Sequence, residues 1–515
     1  MSEKSGREIL ASFGRNSLFA TVSSVVGTVG GIAVSVLLAR YLGPDPYGRY
    51  TYVMWLVGTM VLVASLGLPN TAIRYIAEYQ ASSTGRARGL YVVLVKLAFV
   101  AALALAGSLI VWGVWQEISP ALLGCAACLL VVTAIGRIST STAAGLQQYG
   151  FSTRGQVAYI LLHLVLLVLV LATDTGLVGL LLAILAAEVL RLLLVTRSLA
   201  AYWRGASGDL HSPGNRIESR RIFRFSASVY VLTVLDAVVW QKSEVFFLER
   251  YSTFSEVAVY SLSYGVVYML MQFPISIANV LLPIFSQAQG FDKGEVLTRG
   301  YYCSTKYMAL LIFPTCILAI VLAPWLIDLL YGADYAASVP VLRILLVGGA
   351  ISVLCRPGST VLYSSEKQHV FLVTAAVMAV LNILADLVLI PRYGAIGAGY
   401  ANAMVQISSV GLTTAFLLIR MKYDFPWLEL VKIAASAASA SALIYIAAAN
   451  IVHSSLQPFL WIVLFPILFG GGLRLFNPWD GQDDRIFSIL VAKCPVWLRR
   501  LAIRTKAYLG IGTSE

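Results

Sequence analysis

The sequence predicts an all-α polytopic membrane protein. About fourteen transmembrane helices are expected, as two parallel six-helix repeats followed by two C-terminal helices. Three observations carry this. Of 515 residues, 59% are apolar and only 12% are charged, roughly half the charge of an ordinary soluble domain. A soluble chain this long needs polar side chains to clothe several domains, and 37 basic with 25 acidic residues do not supply them. Fourteen apolar stretches reach the ~20 residues that a helix needs to cross the hydrocarbon core. Short motifs also recur in the same order in the two halves. Together these exclude a large soluble enzyme, a disordered chain and a disulfide scaffold. The net charge of +12 would point to nucleic acid in a soluble protein. In a membrane protein it belongs to cytoplasmic loops, so no nucleic-acid partner is expected.

In chain order, residues 1–15 are polar and read as a cytoplasmic leader, with Ile9, Leu10 and Phe13 placed to lie on the membrane. No small-residue cleavage site follows the first apolar run, so a signal peptide is not expected. Spans are expected at 16–38, 49–70, 90–114, 120–145, 155–172 and 176–196, making a first lobe, 16–196. Gly43-Pro44, Pro120 and Gly176 mark edges, because both residue types interrupt regular structure. The largest inner loop, 197–223, is the expected linker. A second lobe, 224–419, holds spans at 224–247, 257–283, 303–329, 338–363, 369–390 and 394–419, with Pro340, Pro391 and Gly394 at edges. Pro426 precedes two last spans, 427–449 and 457–475. In the tail, 476–515, Trp497, Leu498 and Leu501 alternate with Arg499, Arg500, Arg504 and Lys506. That pattern suits an amphipathic helix on an anionic inner leaflet.

Lys and Arg set the orientation. With the N-terminus inside, 26 fall on inner segments and 6 on outer ones, and both termini are cytoplasmic. The repeat is read from Leu38-Ala39-Arg40-Tyr41 against Leu248-Glu249-Arg250-Tyr251, Tyr50 against Tyr260, Arg137 against Arg356, and Gly176 with Gly179 against Gly394 with Gly397. Six spans are an even number, so both copies point the same way. This is the parallel-repeat class of transporter, which binds substrate between its halves.

Charges inside spans are costly and face a cavity or a partner. Arg137 lies midway along the fourth span, with Ser141 and Gln148 on its helical face. Its alternatives are a cavity, or an Arg satisfied by hydroxyls and backbone carbonyls. Arg356 precedes Pro357-Gly358, where a kink is expected; a broken helix beside a cation is one reading and a snorkelling Arg the other. The seventh span carries Asp236, Gln241, Lys242 and Glu244. Lys242 and Glu244 read as an ion pair near the outer mouth or as part of a coupling-ion or headgroup site, with Glu244 a candidate for ion coupling. Asp236, which lies deeper, is the better candidate for H+ or Na+ coupling, with Glu188 and Asp386 as further candidates. Lys96 is close enough to the inner end of its span to snorkel. Asn70 and Arg74 close the second span, where they flank an inward opening or meet lipid phosphate. Arg has a forked, permanently charged donor set, so the in-span cations point to a phosphate-bearing substrate. Cys125 and Cys128 have a redox or metal spacing, but inside an apolar span they read as small packing thiols. No metal site, nucleotide domain or cofactor is expected, and no enzyme activity.

Several segments resemble a known family. Leu37-Leu38-Ala39-Arg40-Tyr41-Leu42-Gly43-Pro44-Asp45-Pro46-Tyr47-Gly48 resembles the first outer loop of polysaccharide-type lipid flippases. Leu66-Gly67-Leu68 with Ala72-Ile73-Arg74-Tyr75-Ile76-Ala77 resembles the end of their second span. Leu381-Asn382-Ile383 through Leu389-Ile390-Pro391-Arg392-Tyr393-Gly394-Ala395-Ile396-Gly397-Ala398 resembles their eleventh-to-twelfth-span junction. The chain thus resembles the polysaccharide transporter and O-antigen flippase (Wzx-like) branch of the multidrug/oligosaccharidyl-lipid/polysaccharide exporter superfamily. The resemblance implies two lobes around a V-shaped, cationic lumen. It implies export of undecaprenyl-pyrophosphate-linked oligosaccharide to the outer leaflet by alternating access, driven by an ion gradient or membrane potential rather than ATP. A monomer is expected, working alone or beside a polysaccharide polymerase. By position, Arg137, Arg356 and Lys242 would be lumen cations. Asp386 departs from the pattern, where a neutral residue, often Asn, is expected. Fourteen spans also fit lipid II flippases. The competing readings are a cation-coupled multidrug antiporter, which would favour buried acids over buried Arg, a membrane enzyme of surface-polysaccharide assembly, and a scaffold.

Overall fold

Proline and capping hydroxyls start helices where the sequence places them. The computed structural model describes residues 3–205, 219–240, 243–290, 294–365, 367–451, 457–480, 483–484, 487–488 and 496–511, and every regular element among them is helical. Helix α1 (Glu3–Leu42) runs unbroken, because no proline separates the polar leader from the first apolar run. Pro44 begins α2 (Pro44–Ala64), a position where its missing N–H costs nothing. Gly67, at φ 71, turns the chain into α3 (Leu68–Ser82), and the two helices meet at a 45° bend. The Ser83 hydroxyl accepts from Arg86 N at the start of α4 (Thr84–Trp115), and the Ser119 hydroxyl accepts from Leu122 N at the start of α5 (Pro120–Gly145). These are N-caps that satisfy otherwise orphaned donors. Then follow α6 (Tyr149–Thr173), α7 (Gly176–Gly205), α8 (Ser219–Trp240), α9 (Glu244–Tyr251) and α10 (Phe254–Gly290). The rest comprises α11 (Gly294–Tyr331), α12 (Ser338–Ser352), α13 (Cys355–Ser364), α14 (Gln368–Met421), α15 (Trp427–Ile451), α16 (Gln457–Phe476) and α17 (Val496–Leu509).

Each expected span lies on these helices, apart from short turns at 65–67, 243 and 353–354 and from 241–242, which fall outside the described residues. Among the described residues ten helices are long and apolar enough to cross a membrane, or eleven when the bent α2–α3 pair is taken as one span. Helix α14 holds two expected spans, because its backbone leaves helical geometry at Gly394 (φ 53, ψ −133). Exposed Val92, Val93, Leu97, Phe99 and Val100 cover one side of α4, as an acyl-chain environment requires. The chain is a multi-pass membrane protein.

Two units emerge. One comprises 1–249 with 253–258, and the other 250–252 with 259–515. The expected boundary at the 197–223 linker therefore lies upstream of the one observed. The reason is packing: α7 runs on to Gly205, and α8 joins the first unit. Leu199, Trp203 and Ile222 are buried with Tyr75, Leu90, Leu94 and Ile138 in one core. The Ser226 hydroxyl donates to Leu66 O at 2.7 Å, Arg221 pairs with Glu78 at 2.9 Å, and Phe225 meets Tyr75 edge-on at 5.6 Å. Gly67 has no Cβ because Ser226 O occupies its place.

In the second unit Tyr301, Leu354, Leu417 and Phe425 form one core. Ala437, Ile444, Trp461 and Phe465 of α15 and α16 pack on Leu322 of α11. The tail is docked as well. Lys306, 1% exposed, lies 2.5 Å from Asp483, and Tyr307 donates to the same carboxylate. Trp479 Nε1 donates to Leu509 O at 2.8 Å, and Ile511 is buried beside Trp479. In α17, Ile503 is exposed, while Trp497, Leu498 and Leu501 have side chains outside the description.

The repeat is visible in the hinges. Gly176 (φ 65) opens the second leg of the α6–α7 hairpin, and Gly394 (φ 53) opens the second leg of α14. A Cβ on Gly179 would strike Thr175, and one on Gly397 would strike Leu389 O. The glycine pairs matched in sequence thus do the same work: they let two helix legs fold back closely.

Candidate functional site

The first unit carries a polar cluster on α5, α6 and α7. Close approach of α6 and α7 builds it: a Cβ on Gly155 would lie 2.9 Å from Val195 and 3.3 Å from the Arg191 stem. Arg191 Nη2 lies 2.6 Å from Glu188 Oε2, with side chains 17% and 9% exposed. Arg191 Nη1 donates to Gln156 Oε1 at 3.4 Å, and its guanidinium sits 5.2 Å from the centre of the Tyr159 ring. His163 is buried beside Tyr159. Arg137 extends from α5 into electrostatic reach of both Glu188 and Arg191. Its side chain is exposed, on a helix face shared with half-buried Thr133 and Ser141. The exposed outer stripe of α5, which includes Ala121, Gly124 and Cys128, lies roughly opposite. Cys125 and Cys128 are free thiols.

Lys96 differs from Arg137. It is exposed among Val92, Val93, Leu97, Phe99 and Val100, a surface that faces lipid, where a long stem reaches headgroups. Asn70 and Arg74 are exposed on one face of α3. The Arg74 guanidinium lies 4.6 Å from the Phe225 ring centre, in cation–π contact. Asp236 lies on α8 with its side chain outside the description, and Lys242 lies outside the described residues altogether. Glu244, at the start of α9, is 1% exposed.

In the second unit Arg356 is half-buried in the first turn of α13. The break expected at Pro357-Gly358 falls at Val353-Leu354, between α12 and α13. Pro357 has no N–H for Val353 O, the acceptor one turn earlier, so the helix opens on its N-terminal side. Asn382 and Asp386 on the first leg of α14 are both 0% exposed, and Asn382 Nδ2 donates to Asp386 Oδ2 at 3.5 Å. On the second leg Asn402 and Gln406 are buried and hydrogen-bonded to each other. Gly397 approaches Leu389 where the two legs meet. The legs bury two polar pairs, Asp386 with Asn382 and Asn402 with Gln406. Among the described residues no three His, Cys, Asp or Glu side chains group as a metal site.

The structure therefore joins Arg137 with Glu188, and joins Asp386 to an amide that the sequence reading left unassigned. Arg191 also went unassigned, although its i,i+3 spacing from Glu188 is the signal for a pair on one helix face.

A family model described as "Polysaccharide biosynthesis protein" matches residues 37–340, and one described as "Lipid II flippase MurJ" matches 247–470. The chain is 26% identical over 125 residues to the teichuronic acid biosynthesis protein TuaB of Bacillus subtilis (strain 168). That alignment covers 24% of this chain and only 26% of the relative. Among solved structures, the lipid II flippase MurJ in an inward closed conformation superposes with a TM-score of 0.71 at 13% identity, covering 89% of this chain and 98% of that one. An inward-facing multidrug resistance MATE family transporter of the MOP superfamily gives 0.62 at 15% identity, covering 78% and 98%. At these identities the two structures show a shared fold.

Proposed function

The chain belongs to the polysaccharide biosynthesis protein family, whose model spans more than half of it, and from that membership we propose that it is a lipid-linked oligosaccharide flippase. The substrate in this reading is an undecaprenyl-pyrophosphate-linked oligosaccharide, carried from the inner to the outer leaflet of the cytoplasmic membrane. The transport mode is alternating access driven by an H+ or Na+ gradient. The observation that carries the reading is Arg137: a cation midway along an apolar helix, on a face it shares with Thr133 and Ser141, within electrostatic range of the Glu188–Arg191 pair. Such a group is tolerated at membrane depth where it meets water or a charged ligand, and its fork matches phosphate oxygens.

Within this reading Arg137 and Arg356 bind the diphosphate, with Lys242 as a further cation, and Asn70 and Arg74 meet the headgroup from the cytoplasmic side. Lys96 is set aside for lipid phosphate because of its apolar surroundings. Asp386 is the favoured coupling group: it is fully buried beside an amide, and oxygen ligands suit a hard cation. Glu188 is less suited, since Arg191 already occupies it. Asp236 and Glu244 remain secondary candidates. The excess of Lys and Arg on inner segments supports cytoplasmic termini. No cofactor, nucleic acid or catalytic step enters the mechanism. The protein acts as a monomer, and the chemistry that consumes its product, polymerisation of the exported unit, would be its partner's.

Reconstitution in liposomes tests the proposal. The vesicles hold a short-chain polyprenyl-diphosphate oligosaccharide, and exposure to an external lectin is followed with and without an ion gradient. Gradient-dependent exposure, lost in Arg137→Ala and in Arg356→Ala with both proteins still inserted, is the expected result. Uptake of a cationic dye without glycan transfer would favour the antiporter whose fold this chain shares. Chemical alteration of the glycan would favour an enzyme.

A further inference from the structure

Two guanidiniums and one carboxylate share the polar cluster of the first unit, leaving one positive charge in excess. Glu188 Oε2 lies 2.6 Å from Arg191 Nη2. Gln156 accepts from the other terminal nitrogen at 3.4 Å, and the Tyr159 ring lies beneath the guanidinium plane. The remaining Arg191 donor, Nε, is buried with no acceptor. Arg137 is exposed within reach of both members of the pair. The cluster thus has a cation outside the pair, a cation within it and a spare buried donor, and a Cβ on Gly136, next to Arg137, would lie 3.8 Å from Arg191 Nη2. A carboxylate and a phosphate present the same two-oxygen edge to a guanidinium. The two groups therefore compete for one guanidinium.

We propose that Glu188 is a resident counter-anion that an incoming diphosphate displaces from Arg191. Arg137 and Arg191 then hold the diphosphate together, and Glu188 re-forms its pair when the diphosphate leaves. The inference rests on the flippase reading and deepens it, adding Arg191 as a binding residue and Glu188 as the group that drives release. The physical reason for such a device is charge balance. Without Glu188, an empty site would leave two guanidiniums uncompensated among apolar helices, and an occupied one would release its ligand slowly. With Glu188, the buried cation has an anionic partner at every stage. The exchange is non-covalent and needs no proton transfer.

The test measures calorimetric binding of inorganic pyrophosphate and of farnesyl diphosphate to the full-length protein in nanodiscs. Glu188→Gln removes the competitor and is expected to bind both ligands about tenfold more tightly, while transporting the lipid-linked oligosaccharide more slowly in liposomes. Arg191→Gln is expected to lose that binding. Arg191→Lys, which keeps the charge and loses the fork, should bind severalfold more weakly than wild type. Glu188→Asp keeps the charge at shorter reach and should fall between wild type and Glu188→Gln; it serves where the Gln variant does not fold. Unchanged or weaker affinity in the folded Glu188 variants overturns the exchange. So does wild-type binding of farnesyl diphosphate alone, since the prenyl chain and not the phosphates would then be recognised. Wild-type transport with unaltered Glu188→Gln affinity overturns this inference only. Absence of both binding and transport in wild type overturns the flippase reading beneath it.

Discussion

The α6–α7 hairpin and the α14 hairpin are built on one plan and carry different electrostatics. Each folds back at a glycine with positive φ, Gly176 or Gly394, and each has a second glycine three residues on that lets the legs touch. Each buries one carboxylate. On the first hairpin Glu188 has its cation on the same helix, at Arg191. On α14 the sequence holds no Lys or Arg between Gln368 and Pro391 or between Tyr393 and Ile419, and Asp386 sits with Asn382. The backbone of a repeat is constrained by packing, which tolerates few changes at the glycines. The charge at a given level is free to diverge, provided each buried ion has a partner. Duplication thus supplied one scaffold, and its side chains gave one hairpin a carboxylate–guanidinium pair and the other a carboxylate–amide pair.

Breaking the pair on α7 has the largest expected effect. Arg191→Leu leaves Glu188 buried without its partner and should cost about 3–5 kcal/mol, read as a lowered Tm in detergent. The double variant Glu188→Leu with Arg191→Leu should recover most of that loss, because neither charge remains. Next comes the hinge of the other hairpin. Gly394→Ala forces a side chain into a backbone region suited to glycine and should cost about 1–3 kcal/mol. Gly176→Ala provides the matched measurement on the first hairpin, and similar losses would extend the equivalence of the two hinges from geometry to energy. Asp386→Asn keeps size and hydrogen bonding but removes the charge. Gradient-stimulated flux should fall by about tenfold, equivalent to ~1.4 kcal/mol in barrier, with the protein still inserted and its gradient-independent leak unchanged. The smallest effect is expected from Lys96→Met. On a lipid-facing surface it should change stability by no more than about 0.5 kcal/mol, and flux should match wild type. A large loss there would move Lys96 from the lipid surface into the transport path.

Much of this architecture was legible from residues alone. The fourteen apolar stretches lie on helices because length and apolarity are what a bilayer selects. Pro44 and Pro120 start helices because φ is preset there. The glycine pairs at 176/179 and 394/397 announced the repeat, since a close helix approach admits no Cβ. Other features needed the folded chain. The sequence places Pro357 at a break but not the break itself, which opens a turn earlier, where Val353 O accepts from Arg356 N at 3.1 Å in place of the N–H that Pro357 lacks. The 197–223 loop looked like the lobe boundary because it is polar. Yet Trp203 and Ile222, near its two ends, are buried in the first unit's core, and burial is a property of neighbours. Arg191 carried one local signal, its i,i+3 spacing from Glu188, but that spacing does not say that both side chains are buried or that Gln156 and Tyr159 of another helix meet the guanidinium.

What the sequence determined by itself is what the solvent and local covalent geometry govern: membrane residence, helical character, the helix starts at Pro44 and Pro120, the glycine hinges and the duplication. These follow from composition and from the backbone preferences of Gly and Pro, which do not depend on distant residues. Only the tertiary structure decided which charges are partners. It pairs Glu188 with Arg191 and brings Arg137 to them from another helix. It buries Asp386 with Asn382 while leaving Lys96 among exposed apolar side chains, and it fastens the tail through Lys306 and Asp483. The energy of an ion in an apolar medium depends on what lies within a few ångströms of it, and the packing of helices far apart in the chain sets that distance.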